Sequence, residues 1–281
     1  MSTSAIVNVR NANIDRVNFS EVKRNKSGGL GVTIRYDGQN LQLRLPRMGF
    51  PGGLMRREDE KTGAVNYSLI GSLKGCDPYA RERSTETTDV ALLYNFFLDL
   101  QEKLVRVATE NSAKWFGKKR SEESIRDSFK NILSVSTDKV DGEYVPNGKY
   151  PPSLRVKVPV YDGRVSMDAV DSAANPIYLT PDSLMSVFPK GVDANLVISI
   201  YIYIIGQGFG ITWRISYAQV FPQTRMTAAS IFKEEAVEES GEETHAQQQD
   251  EEVHAAVVHE NPPEQGQQVA TGRRRRVAVP T

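Results

Sequence analysis

Two alternating apolar runs restrict what this chain can fold into more than any other feature. Residues 196 to 205, L-V-I-S-I-Y-I-Y-I-I, and residues 209 to 221, F-G-I-T-W-R-I-S-Y-A-Q-V-F, are separated only by Gly206-Gln207-Gly208. A period of two marks a half-buried strand, and a short glycine-bearing link between two such runs reads as a hairpin. Within I-T-W-R-I-S-Y, Ile211, Trp213, Ile215 and Tyr217 are expected on one face, with Thr212, Arg214 and Ser216 on the other. Trp213 is therefore read as a core residue. The longest apolar run, residues 197 to 205, holds a serine and two tyrosines and falls far short of the roughly 20 residues of a membrane span. No membrane partner is expected.

The rest of the body adds strands around one helical insertion. G-V-T-I-R-Y and L-Q-L-R-L, within residues 31 to 45, alternate cleanly and meet through Asp37-Gly38, a strong hairpin signal. Residues 64 to 73 form a third expected strand. L-R-V-K-V-P-V-Y after Pro151-Pro152 and then R-V-S-M are further candidates. A helix starts at Thr88-Asp89 and runs about twenty residues, with Leu93, Phe96, Phe97, Leu100, Leu104 and Ala108 on one face. Ser121 is suited to cap a second helix through Leu133, with Glu122 and Glu123 at its positive end. Strands and helices do not alternate, so the expected class is mainly β with a helical insertion: a β-barrel or compact sandwich.

Charge divides the 281 residues into three parts. Residues 1–232 carry 30 Lys+Arg against 24 Asp+Glu, and residues 233–264 carry one lysine against eleven acids. Arg273 to Arg276 follow. The acidic, Gln-rich stretch has too little apolar surface to offset the entropy of ordering, so residues 233–281 are expected to be a disordered tail with a basic tip. All three histidines lie in that tail, and Cys76 is the one cysteine. The body therefore cannot build a histidine triad, an H-E-x-x-H zinc site or a Cys/His metal cluster. A lone cysteine also suits a reducing compartment. The glycine-rich segments 28 to 31 and 206 to 210 do not join a strand to a helix, and no phosphate-binding loop of the G-x-x-x-x-G-K-[ST] type occurs. Glu58-Asp59-Glu60 reads as a loop charge cluster. Neither an enzyme nor a cofactor is expected.

Cations and aromatic residues remain. Arg47, Arg56, Arg57, Arg155 and Lys157 are interspersed with Phe50, Tyr144, Tyr150 and Tyr161, and S-A-K-W-F-G-K-K-R sets Trp115 and Phe116 beside Lys118, Lys119 and Arg120. Binding to single-stranded nucleic acid needs cations along a groove for phosphates and aromatic faces for bases. Trp115 and Phe116 are candidates for stacking or for shaping the platform, and Lys118, Lys119 and Arg120 for phosphate contacts. Arg47, Arg56, Arg57, Arg155 and Lys157 would line the rest of the groove, with Tyr150 a further stacking residue. Packing of the Trp115 indole against the body is the other reading of that position.

Four segments in order carry a resemblance: L-R-L-P-R-M-G-F-P-G-G-L (43 to 54), S-A-K-W-F-G-K-K-R-S-E-E-S-I (112 to 125), Y-P-P-S-L-R-V-K-V (150 to 158) and G-F-G-I-T-W-R-I (208 to 215). Together they resemble the single-stranded DNA-binding proteins of nucleocytoplasmic large DNA viruses, over roughly residues 30 to 221. The resemblance implies an OB-fold-like five-stranded barrel with elaborations, similar to phage replication proteins. It implies a non-enzymatic coat for single-stranded DNA in viral replication, recombination and repair, at intracellular sites of viral DNA synthesis. It also implies an acidic tail that meets replication partners, and it leaves homo-oligomerisation open. Here Arg273 to Arg276 follow the acidic block, a departure from the family's pattern. A virion structural or scaffolding protein with a β-sandwich core is the alternative class.

Overall fold

The alternating runs become the two longest strands of the molecule, Val192–Ile205 and Gly208–Phe221, paired antiparallel across the two-residue turn Gly206-Gln207. The computed structural model describes residues 4–25 and 28–221. The expected acidic tail and basic tip lie outside the described residues. Burial alternates without a break along Val192–Ile205: Leu196, Ile198, Ile200, Ile202 and Ile204 are buried, while Val197, Ser199, Tyr201 and Tyr203 are half-buried on the opposite face.

Around this hairpin the chain lays down β1 (Ser4–Asn8), β2 (Leu30–Tyr36), β3 (Gln39–Arg44), β4 (Met48–Phe50), β5 (Leu54–Glu58) and β6 (Val65–Ser72). Then come α1 (Asp89–Glu110), α2 (Ser112–Phe116), α3 (Glu122–Ser128) and β7 (Phe129–Lys130). The hairpin β8 (Thr137–Val140) and β9 (Glu143–Pro146), the strand β10 (Ser153–Val158), and the long strands β11 (Val192–Ile205) and β12 (Gly208–Phe221) complete the elements used below. The main strand order is β1-β3-β2-β11-β12-β10-β6-β5. Asp37 and Gly38 both take positive φ, as the tight turn between β2 and β3 requires. These two strands share only two register pairs before separating. β2 then pairs with Tyr201–Ile204 and β3 with Val197–Ser199, so β11 is wide enough for both. The mainly β class with a helical insertion is what the sequence suggests. The pairings close a ring among β2, β3 and β11; a closed ring of five strands is not drawn by the described ladders.

Helix α1 covers the inner face. Thr88 Oγ1 accepts from the Ala91 peptide N–H at 3.2 Å, satisfying one of the donors that a helix start leaves free. Leu93, Phe97, Leu100 and Leu104 are fully buried against the strands, and Phe97 meets Trp213 with ring centroids 5.0 Å apart. Trp213 is a core residue. Burying each such side chain contributes about 1.5–3 kcal/mol, so the helix-to-sheet seam stabilises this layer.

Two expectations change here. Tyr217 does not join Ile211, Trp213 and Ile215, because Ser216 is an extra residue in the ladder: Ile198 pairs with Ile215 and Val197 with Tyr217. A bulge of one residue inverts the alternation, so Ala218 and Val220 turn inward and Tyr217 outward. The second helix also ends at Ser128 rather than Leu133. Phe129 becomes extended and pairs in parallel with the start of β12, which sets its ring 5.0 Å from Phe209.

Phe209 is the hub of that corner. Its ring is 5.5 Å from Phe116, 6.1 Å from Trp115 and 5.0 Å from Phe129, in tilted or edge-on arrangements that suit the aromatic quadrupole. Replacing Phe209 with alanine removes the common partner of three rings. The expected cost is about 3–5 kcal/mol in urea unfolding, and a loss below about 1 kcal/mol would show that the three rings hold together without it.

Candidate nucleic-acid interface

Strand alternation that sends leucines and isoleucines inward sends a different set of side chains outward. Across the sheet, Met55 of β5 stands opposite Ser68 of β6, Ser68 opposite Lys157 of β10, Lys157 beside Arg214 of β12, and Arg214 opposite Ser199 of β11. Arg57 lies two residues along from Met55 and therefore on the same face, opposite Asn66. Arg155 precedes Lys157 on that face by the same step.

Three adjoining concavities open on this surface, and Lys157 lines all of them. One of about 540 Å³ also takes in Arg57, Tyr67, Ser68 and Arg155. A second, about 470 Å³, is lined by Lys130, Ser134, Arg155, Tyr203 and Thr212 among others. The smallest lies between Tyr67, Tyr161 and Arg214. Glu58 at the end of β5, and Asp59 and Glu60 on the loop that follows, line the first concavity as well. Asp59 is committed to that loop: its carboxylate accepts from the Lys61 and Thr62 peptides and from the Thr62 hydroxyl, and these bonds hold it below the usual carboxylate range.

Lys157 records the electrostatics. The residue is exposed at the surface, yet its ammonium is partly desolvated. This desolvation pushes it below the ordinary lysine range, and the charges of Arg214 and Lys130 push the same way. Among the described residues no carboxylate pairs with Lys157, Arg214 or Lys130. The fold therefore gathers like charges and leaves them uncompensated.

Aromatic rings lie beside them. Tyr203 stands opposite Gly210 and leans across it: a Cβ on Gly210 would sit 2.7 Å from the phenolic oxygen and 3.1 Å from Lys130 Cβ. Tyr201 lies likewise over Gly31 of β2, where a Cβ would overlap the ring. Glycine at these two positions lets each ring rest on the neighbouring strand instead of standing away from it. Burial pushes the Tyr203 phenol above its ordinary value.

Sequence-derived candidates fall into three groups. Arg57, Arg155 and Lys157 come together on the face just described. Arg56 is one residue from Arg57 and so points the opposite way, with Glu58 at 3.4 Å. Arg47 lies at the far end of β11, bound to Asp193 at 3.1 Å with its guanidinium over the Phe221 ring at 4.2 Å. Tyr150 is exposed and lines none of the three concavities, and its peptide N–H donates to Ser136 Oγ at 3.2 Å. Lys118 and Lys119 are exposed on the link between α2 and α3, with no charged partner among the described residues.

The remaining three belong to the fold. Trp115 and Phe116 are buried around Phe209, so stacking on a ligand is corrected to packing: the Phe209 corner encloses both rings. Arg120 is occupied. Its guanidinium donates to the Gln207 carbonyl at 2.8 Å and the Ser124 carbonyl at 2.7 Å, and it lies over the Phe116 ring at 5.0 Å. Its peptide N–H donates to the buried Ser112 hydroxyl. Arg120 ties the interhelical link to the turn of the long hairpin and has little capacity left for phosphate. Lys130, Arg214 and Tyr203 were missed. Only the register could have exposed them, through Arg214 falling opposite Ser199 and Gly210 opposite Tyr203.

No family model matches the chain, and no curated protein matches it. Among solved structures, the chain is similar to the single-stranded DNA-binding protein from bacteriophage Enc34 in complex with ssDNA, at 13% identity and a TM-score of 0.34, over 72% of this chain and 90% of that one. It is also similar to gp2.5, a single-stranded DNA-binding protein encoded by bacteriophage T7, at 11% identity and a TM-score of 0.38, over 66% of this chain and 94% of that one.

Two measurements check this geometry. Arg120→Gln removes hydrogen bonds to two carbonyls, and its unfolding free energy should fall by about 1–3 kcal/mol; an unchanged denaturation midpoint would mean the guanidinium is not the tie. Titration of the lysine side chains by NMR should place Lys157 below ordinary lysine. Arg214→Gln should raise its pKa, since a like charge is removed. A fall, or no movement, would contradict the cluster.

Proposed function

We propose that this protein is a non-enzymatic, sequence-tolerant single-stranded DNA-binding protein that uses the outward face of an OB-like sheet. One observation carries the reading: Arg57, Lys130, Arg155, Lys157 and Arg214 converge around three adjoining concavities beside Tyr203, whose ring lies across Gly210. Lys130, Lys157 and Arg214, which pair with no carboxylate among the described residues, are stabilised by phosphate, which relieves their mutual repulsion as it binds. Rings resting on a sheet offer their faces to unstacked bases, and every base has such a face, so little sequence preference results. A duplex keeps its bases stacked on each other and cannot use those rings. Following the sequence resemblance, we assign the activity to strand coating in viral DNA replication, recombination and repair, at the intracellular sites of that synthesis. The acidic stretch 233–264 would serve as a contact for replication partners.

Fluorescence anisotropy with labelled oligothymidine tests this directly. Five phosphate contacts predict a log–log salt slope of roughly −3 to −4, and Arg214→Gln should flatten it by about 0.7. Binding that ignores salt, or equal affinity for duplex and single strand, would sink the proposal.

A further inference from the structure

Among the described residues the hairpin β8–β9 pairs with no other strand, and all eight of its residues are exposed. An isolated two-stranded hairpin has little stability of its own, so large apolar side chains held in water on it call for a use. Tyr144 is 73% exposed, one of the most exposed large side chains described.

Its register separates two unlike faces. Lys139 stands opposite Tyr144 and Thr137 opposite Pro146, so these four share one side. Asp138, Val140, Glu143 and Val145 share the other. Asp138 is engaged there, accepting from Lys149 Nζ and Asn147 Nδ2, each at 2.8 Å. The strand carboxylates therefore all lie on the second face. The first presents one cation and one open ring side by side, the pair of groups that single-stranded nucleic acid requires.

The arm also rises from the edge of the candidate interface. Ser134, just before it, exchanges two backbone hydrogen bonds of 2.9 Å with Ser153 at the start of β10. Ser134 lines the same concavity as Lys130, Arg155, Lys157 and Tyr203. Exposed Tyr150 is tied to Ser136 at the base of the arm. We infer that the Lys139–Tyr144 face is a second contact surface for single-stranded DNA: a strand leaving the Lys157 cluster passes Ser134 and Tyr150 and stacks one base on Tyr144, with Lys139 on a phosphate. This rests on the single-stranded DNA reading and extends it to a named element.

The test uses the full chain and fluorescein-labelled oligothymidine of two lengths, about 5 and about 16 nucleotides, near the two ends of the range for one barrel. Tyr144→Ala should weaken binding of the longer oligomer about tenfold and leave the shorter unchanged, with Tyr144→Phe retaining full affinity. If Tyr144→Ala leaves the longer oligomer unaffected while Arg214→Gln weakens both, the arm has no role and the interface stands. Equal loss on both lengths would also overturn the inference, since the arm would then act through the sheet. If the unaltered chain binds neither length, the arm proposal falls together with the function it rests on.

Discussion

The unbroken alternation of β11 is the constraint from which the rest follows. Its inward isoleucines and Leu196 join the buried core that also takes in the apolar face of α1, while its outward Tyr203 lines the candidate interface. A shift of one residue would exchange the two sets, exposing five large aliphatic side chains and burying polar ones. Core and candidate interface therefore depend on a single register. The bulge at Ser216 marks where β12 leaves that register, and it falls beyond Arg214, so the row containing Lys157 and Arg214 is kept.

A second dependence links the helices to the same strands. Phe209 opens β12 and receives Trp115, Phe116 and Phe129. Arg120 fastens the link between α2 and α3 to Gln207 in the adjoining turn. Lys114, Gly117, Lys118 and Lys119 surround this knot at the surface. The mixture of aromatic and cationic residues in S-A-K-W-F-G-K-K-R thus resolves by direction: rings inward at the end of α2, Gly117 in a left-handed turn, then lysines outward.

Legibility followed the distance over which each feature is decided. Alternation as far as Ile215, the Asp37-Gly38 turn, the helix start at Thr88-Asp89, the cap at Ser121 and the core role of Trp213 are local, and the sequence alone was enough for them. Arg56 and Arg57 were both legible as cations, but only pairing with Asn66 shows that Arg57 alone joins the face. Arg120 looked like its lysine neighbours because its partners Gln207 and Ser124 are recruited by folding. Lys130 and Tyr203 carried no signal, since their neighbourhood is made by β7 meeting β12 and by Gly210 meeting Tyr203. The Ser216 bulge was equally silent, as no residue type demands it.

What the cluster costs is informative about what it is for. Lys157 has its pKa lowered in the fold, so its charged form is less favourable there than in the unfolded chain. That penalty is fully present at neutral pH, and it fades only as pH rises through the lowered value toward that of free lysine. Other cations of the protein are paired, as Arg126 is with Glu102 and Glu122, or Arg10 with Asp89. Lys157, Arg214 and Lys130 are left facing one another across adjacent strands. A folded state that keeps partly desolvated, mutually repelling cations on a concave surface would gain from a bound anion. Gly210 lets the Tyr203 ring lie down beside these cations.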